Sequence, residues 1–335
     1  FDFIANECDS IKDKIIEDYS ADKEHILAKA ETGRANKYAV LALKAQAALY
    51  HASPLFSQGK SADEKKALWA AAVAANKELI DAAEAKGLGL ASDIALLWDT
   101  EYYSNAESSK EIIFARRTAS ANTFESYNFP VGYSSGQGGN CPTQDLVDAF
   151  ECTDGKSIAE SDLYDAANPY ANRDARLAKT VVTNGEAWPN DLEAYNSEHP
   201  VIETYIGGYH SRTGNAAGKS YATTTSYYLK KFCNPNQILR ARSGVAVTTS
   251  PHGWLTFRMG AMYLNYAEAL YQYFKASGNA NAADASGSVT YKETDGTEKT
   301  ISIPASQTAA KMASMTRTRS GMPEFPTGMT NDEFW

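Results

Sequence analysis

The five residues Gly132-Tyr133-Ser134-Ser135-Gly136 satisfy the G-x-S-x-G pattern, in which a sharp strand-to-helix turn lifts a nucleophilic serine clear of the backbone. That geometry needs a helix immediately behind the serine. Gln137-Gly138-Gly139-Asn140-Cys141-Pro142 cannot begin one, so the stretch reads as a glycine loop. Gly-Lys-Ser recurs at 59–61, 155–157 and 218–220, but the earlier glycine that a phosphate loop requires is Pro54, Phe150 and Thr213 respectively. No nucleotide site is written there. The five histidines, His25, His51, His199, His210 and His252, include no pair three or four residues apart, so no helical metal site is encoded and no cofactor or metal is expected. The four cysteines, Cys8, Cys141, Cys152 and Cys233, lie too far apart for a CxxC site. A Cys141–Cys152 bridge, another pairing and four free thiols all remain open. A glycosidase needs only two carboxylates facing across a cleft, a demand that sequence does not reveal. Asp145, Asp148 and Glu151 share one face of a short helix and read as solvated surface.

The chemistry best represented is recognition by flat amphipathic rings. Between Leu90 and Pro251 aromatic residues crowd into polar stretches, notably Glu186-Ala187-Trp188-Pro189-Asn190-Asp191 and Tyr205-Ile206-Gly207-Gly208-Tyr209-His210. A sugar offers an apolar C–H face and a hydroxyl rim, which rings flanked by amides and imidazoles match. The candidates are Trp188, Asn190, Tyr195, Tyr209, His210 and Tyr133. The competing reading of each is a plug packed beneath a long loop. Trp98, in the apolar run Ile94-Ala95-Leu96-Leu97, reads as core.

Such loops need a scaffold, and 335 residues suffice to bury one. The formal net charge of -9, with no basic block, argues against a nucleic-acid partner, and no apolar run is long enough to span a bilayer. Apolar positions in Trp254–Lys275 recur at steps of three and four and predict one long buried helix. Alanine-rich stretches predict two more, from Tyr38 to Ser53-Pro54 and from about Glu64 to Lys86, joined as a tetratricopeptide-like hairpin. Residues 1–19 read as helical. Lys110–Ala115 and 227–232 read as strands, 142–150 as a short helix capped by Thr143, and 308–316 as a last helix. Ser286 to Ile303 predicts a β-hairpin turning at Asp295-Gly296 in a type I′ turn.

Arg258, with Met262-Tyr263-Leu264-Asn265-Tyr266-Ala267-Glu268-Ala269 after it, resembles the R-x-A-E-x-x-L-x-x-A-E-A helix of the SusD/RagB family, with Gly260-Ala261 in place of the first Ala-Glu. Lys37–Ala45 resembles that family's K-x-A-A-L-A-L-K-A-R helix, Gln46 replacing the arginine. Lys110–Ala115 is similar to its S-x-E-I-I-F segment, Pro142–Gly155 to P-T-x-E-L-V-D-A-F-x-x-x-D-G, and Asn172–Leu177 to R-D-P-R-L. Tyr227–Phe232 and Arg317–Pro323 match Y-x-x-x-K-F and R-x-R-A-G-L-P. The resemblance implies a mainly α fold: tetratricopeptide-like hairpins at 34–86 and 254–323, a β-hairpin inserted at 286–303, and a loop-rich, partly β, ligand-facing region at 90–251. It also implies one domain cut at both ends from a longer chain. The function implied is non-catalytic capture of a glycan at the outer-membrane surface for a TonB-dependent SusC-like transporter, with membrane attachment through an N-terminal lipid anchor outside this sequence. The alternatives are a tetratricopeptide-type protein- or peptide-binding module without a sugar site, and a glycoside hydrolase.

Overall fold

Alanine sets the spacing of the scaffold. In the computed structural model, which describes residues 1–19, 33–98, 106–133, 135–187, 198–241 and 244–335, helix α1 (Asp2–Ile11) leads into α2 (Lys37–Ala52) and α3 (Ala62–Glu84). Ala42, Ala45 and Ala72 are fully buried, and with no side chain beyond Cβ they let α2 and α3 approach closely. Both starts are capped. The Asn36 side chain accepts from the Ala39 N–H, and Ser61 and Glu64 close a reciprocal capping box. Helix α1 is shorter than the 1–19 stripe predicts, because the chain leaves the helix in a turn after Ile11.

Helix α4 (Ala106–Glu111) runs directly into strand β1 (Ile112–Arg117), and the short helices α5 (Thr123–Asn128) and α6 (Gln144–Asp148) follow, the latter capped by Thr143 as expected. Helix α7 (Ala175–Thr180) feeds β2 (Val181–Val182), which pairs antiparallel with β3 (Tyr228–Leu229), a two-residue remnant of the strand expected at 227–232. Strand β4 (Gly253–Arg258) pairs antiparallel with β1 and continues as α8 (Met259–Ala276). The long helix therefore begins five residues later than its apolar spacing predicts. Trp254 and Thr256 face solvent while Phe257 is buried, a two-residue alternation hidden inside the helical stripe.

Helix α8 lies antiparallel to α3. Tyr263 Oη at its start donates to Glu84 Oε1 at the end of α3 (2.7 Å), and Lys66 near the start of α3 sits over the Tyr273 ring, 5.6 Å from its centroid. Tyr263, Tyr266, Leu270 and Tyr271 are essentially inaccessible, so α8 is the axis of the main core.

Strands β5 (Gly287–Lys292) and β6 (Glu298–Ile303) form the inserted hairpin, packed against α3 through Val289. Its turn is longer than type I′. The Gly296 N–H donates to the Glu293 carbonyl, Gly296 takes φ 87°, and the Glu293 N–H donates to the Thr297 carbonyl, so the glycine closes a bulged turn. Helices α9 (Ala309–Arg319) and α10 (Asn331–Phe334) complete the chain. All four cysteines are free thiols, and Trp98 is half-buried rather than core, its edge against Phe232 (6.2 Å between centroids).

Candidate functional site

Beyond β2 the backbone of the turn 203–210 is organised by Glu203. The Glu203 N–H donates to His210 Nδ1 (3.1 Å), and its carbonyl accepts from the His210 N–H (3.0 Å). Its carboxylate accepts from the Tyr209 N–H and pairs with His199 Nδ1, each at 3.0 Å. Because the Glu203 N–H is a donor, His210 Nδ1 must be the lone-pair nitrogen and the ring proton lies on Nε2. Burial pulls the His210 pKa from 6.5 down to about 4, so the ring is neutral. Burial alone would raise the Glu203 carboxyl, but the Tyr209 N–H and His199 outweigh it and hold it below its ordinary value.

Four rings stand in sequence on this hub. His199 stacks on Tyr209 (4.0 Å, 9°), Tyr209 meets His210 edge-on (4.9 Å, 86°), and His210 stacks on Tyr133 (5.4 Å, 16°). Gly132, at φ 89°, passes so close that a Cβ there would stand 2.9 Å from Tyr209 Cε1. Tyr228 Oη donates to the His210 carbonyl (2.7 Å), tying the turn to β3.

The structure thus brings Tyr133, Tyr209 and His210 together, while Trp188, Asn190 and Tyr195 lie outside the described residues. Exposure divides the three. His210 and Tyr133 are buried, 1% and 7% exposed, so they hold Tyr209, which is half-open to solvent. At the tip of the same turn Tyr205 is 57% exposed and Ile206 93%. Tyr205 carried the right composition signal in the sequence but was not among the selected residues. His199 and Glu203 carried none, because a histidine and a glutamate in a polar loop look like solvated surface.

Around Gly132 the setting of a nucleophile elbow is missing: from Gly136 to Thr143 the chain is irregular, and the next helix opens at Gln144. Ser134 lies outside the described residues. Among the described residues no three His, Cys, Asp or Glu side chains converge on a metal position, and no helix is long and apolar enough to cross a membrane.

The motif residues read from the sequence serve packing. The Arg173 guanidinium donates to the carbonyls of Val147, Phe150 and Pro169, clasping the end of α6. Asp174 caps α7 and pairs with Arg176. Arg317 pairs with Glu151 (2.6 Å), and Gly155 leaves room for Pro323, which a Cβ would approach to 2.7 Å. Glu111 receives both Arg258 and Arg319. The sequence profile of the SusD family matches residues 97–334.

The chain belongs to the SusD family. Its fold is similar to that of a SusD-like protein from Bacteroides fragilis (TM-score 0.63, 20% identity, covering 99% of this chain and 55% of that one). It is also similar to a SusD-like carbohydrate-binding protein from the same species (TM-score 0.56, 16% identity, 95% and 55% covered). A third likeness is surface glycan-binding protein A from Bacteroides thetaiotaomicron, solved with laminarihexaose (TM-score 0.50, 13% identity, 96% and 54% covered). No curated protein matches the sequence. The chain spans little more than half the length of these SusD-like structures.

Proposed function

We propose that this SusD-family chain captures a glycan at the surface of the outer membrane, as part of a lipid-anchored protein, and passes it unaltered to a SusC-like TonB-dependent transporter. In this reading the whole chain works as one domain whose loop-rich region, 90–251, faces the ligand. The observation that carries the reading is the turn 203–210, where buried His210 and Tyr133 and the Glu203 hub fix Tyr209 and present Tyr205 to solvent. Rings held rigid before a ligand arrives lose little entropy on binding. Trp188, Asn190 and Tyr195 are proposed to extend this surface. The carbohydrate-binding relatives of similar fold support the class of ligand.

Affinity electrophoresis of the protein in gels containing laminarin, starch or xylan tests the proposal. Retardation by at least one polymer, lost when Trp188 and Tyr209 are both replaced by alanine, is the expected result. Release of reducing ends would overturn the non-catalytic reading, and unchanged retardation in the double variant would place the site elsewhere.

One observation favours a peptide-binding module as a second reading. A cleft of about 350 Å³ lies between α1, α2, α3 and the β5–β6 hairpin, floored by Ala48, Ala71 and Ala75 and edged by Lys44, Glu78 and Asp9. Absence of retardation by any glycan would favour it.

A further inference from the structure

Trp254 is 68% exposed, an unusual position for the largest side chain on a paired strand. In the β1–β4 register it stands opposite Arg116, so the two side chains emerge on the same outer face. Phe232 supports the indole, its ring 6.4 Å from Trp254 and inclined by 32°, and Trp98 also packs on Phe232, 6.2 Å away at 64°. The backbone is bent to make this arrangement: Phe232 holds φ 66°, the left-handed region that a bulky residue enters only when its surroundings enforce it. Lys231 places its ammonium 5.2 Å from the Phe232 centroid and 5.5 Å from that of Trp98. Among the described residues neither Lys231 nor Arg116 is paired with a carboxylate. Burial, and then the nearby Arg258, lower the Lys231 pKa, so an anion at this place would be bound with gain.

We propose that this face, Trp254 and Phe232 flanked by Lys231 and Arg116, binds an acidic sugar, the rings stacking on the pyranose face and the two cations meeting its carboxylate or sulfate. The inference rests on the glycan-capturing reading and adds the charge class of one ligand. Two cations without a carboxylate partner, beside rings on a chain of net charge -9, form a local exception that suits one acidic sugar residue at a time rather than the evenly charged backbone of a nucleic acid.

The test is affinity electrophoresis of the whole chain at low and high salt in gels of polygalacturonate (carboxylate), dextran sulfate (sulfate) and unmodified dextran. Expected is salt-sensitive retardation by at least one acidic polymer beyond that by dextran. Trp254→Ala should weaken it about tenfold and Trp254→Phe much less. Lys231→Gln combined with Arg116→Gln should weaken acidic binding about fivefold while leaving retention by any neutral glycan intact. Because Trp254 and Arg116 are exposed, unchanged thermal melts will show these variants folded. Equal retardation by acidic and neutral polymers, or acidic retardation that survives Trp254→Ala, would overturn this inference and leave glycan capture standing. Absence of retardation by every polymer, laminarin, starch and xylan included, would overturn both.

Discussion

Arg319 Nη1 donates to Glu111 Oε2 at 2.5 Å, joining the end of α9 to the end of α4, while Arg258 Nη1 reaches Glu111 Oε1 at 2.8 Å from the junction of β4 and α8. The carboxylate is fully buried and also accepts from the Ala91 N–H at 2.9 Å. One side chain thus locks four segments distant in sequence. Removing a member of such a group leaves the others buried and uncompensated, which costs more than the intact group contributes.

Glu111→Gln is therefore expected to lower unfolding stability by about 3–5 kcal/mol, since it strands two guanidinium groups. Urea titration followed by far-UV circular dichroism measures it, and a change under about 1 kcal/mol would show that the carboxylate is dispensable.

Acid should weaken the protein through His210. Its folded pKa of about 4 lies below the ordinary 6.5, so between these values the unfolded chain binds a proton that the folded chain refuses. Stability then falls as pH drops through about 6.5 and levels off near 4, a total on the order of 3 kcal/mol. His210→Gln can still accept the Glu203 N–H and does not titrate, so it should flatten that window. The folded Glu203 carboxyl lies below its ordinary value, so its contribution is lost only at lower pH, which keeps the two effects apart.

Arg173 offers a cleaner test of shape against charge. Its acceptors are the carbonyls of Val147, Phe150 and Pro169, reached from three different nitrogens of a planar fork. Lysine keeps the charge but lacks the fork, so Arg173→Lys should lose most of what Arg173→Ala loses, about 2–4 kcal/mol by denaturant titration. Near-native stability of the lysine variant would mean that charge alone holds the end of α6.

How far the sequence reveals this architecture follows from the range of the forces involved. Helices α2 and α3 lie close to where the alanine-rich stretches predict them, because that spacing is a local signal. The strand at Trp254–Arg258 was absorbed into the helix, because its partner is β1, far away in sequence, and the alternation of four residues is too short to compete with a helical stripe. Trp254, placed by that reading at the start of a buried helix, instead stands 68% exposed on the strand, beside the Phe232 ring. At the candidate site, composition brought out Tyr133, Tyr209 and His210, but composition carries no depth. Which of them faces inward is decided by Glu203 and Gly132, whose roles exist only after the loop closes.

Gly260 provides the sharpest conflict between a local rule and its surroundings. It sits in the first turn of α8, where the SusD-family pattern has alanine, and on helix propensity alone Gly260→Ala should stabilise by about 1 kcal/mol. A Cβ there, however, would stand 2.6 Å from Glu111 Oε1 and collide with the Arg258 guanidinium, the pair that anchors the helix start. Both groups are pinned by the buried triad, so displacing them should cost about 2–4 kcal/mol and reverse the sign. Thermal and urea denaturation of Gly260→Ala should accordingly show a net loss. In an Arg258→Ala background part of the obstruction is gone, and the same substitution should become close to neutral. A double-mutant cycle with a coupling energy near zero would show that the glycine is not there to make room for the ion pair.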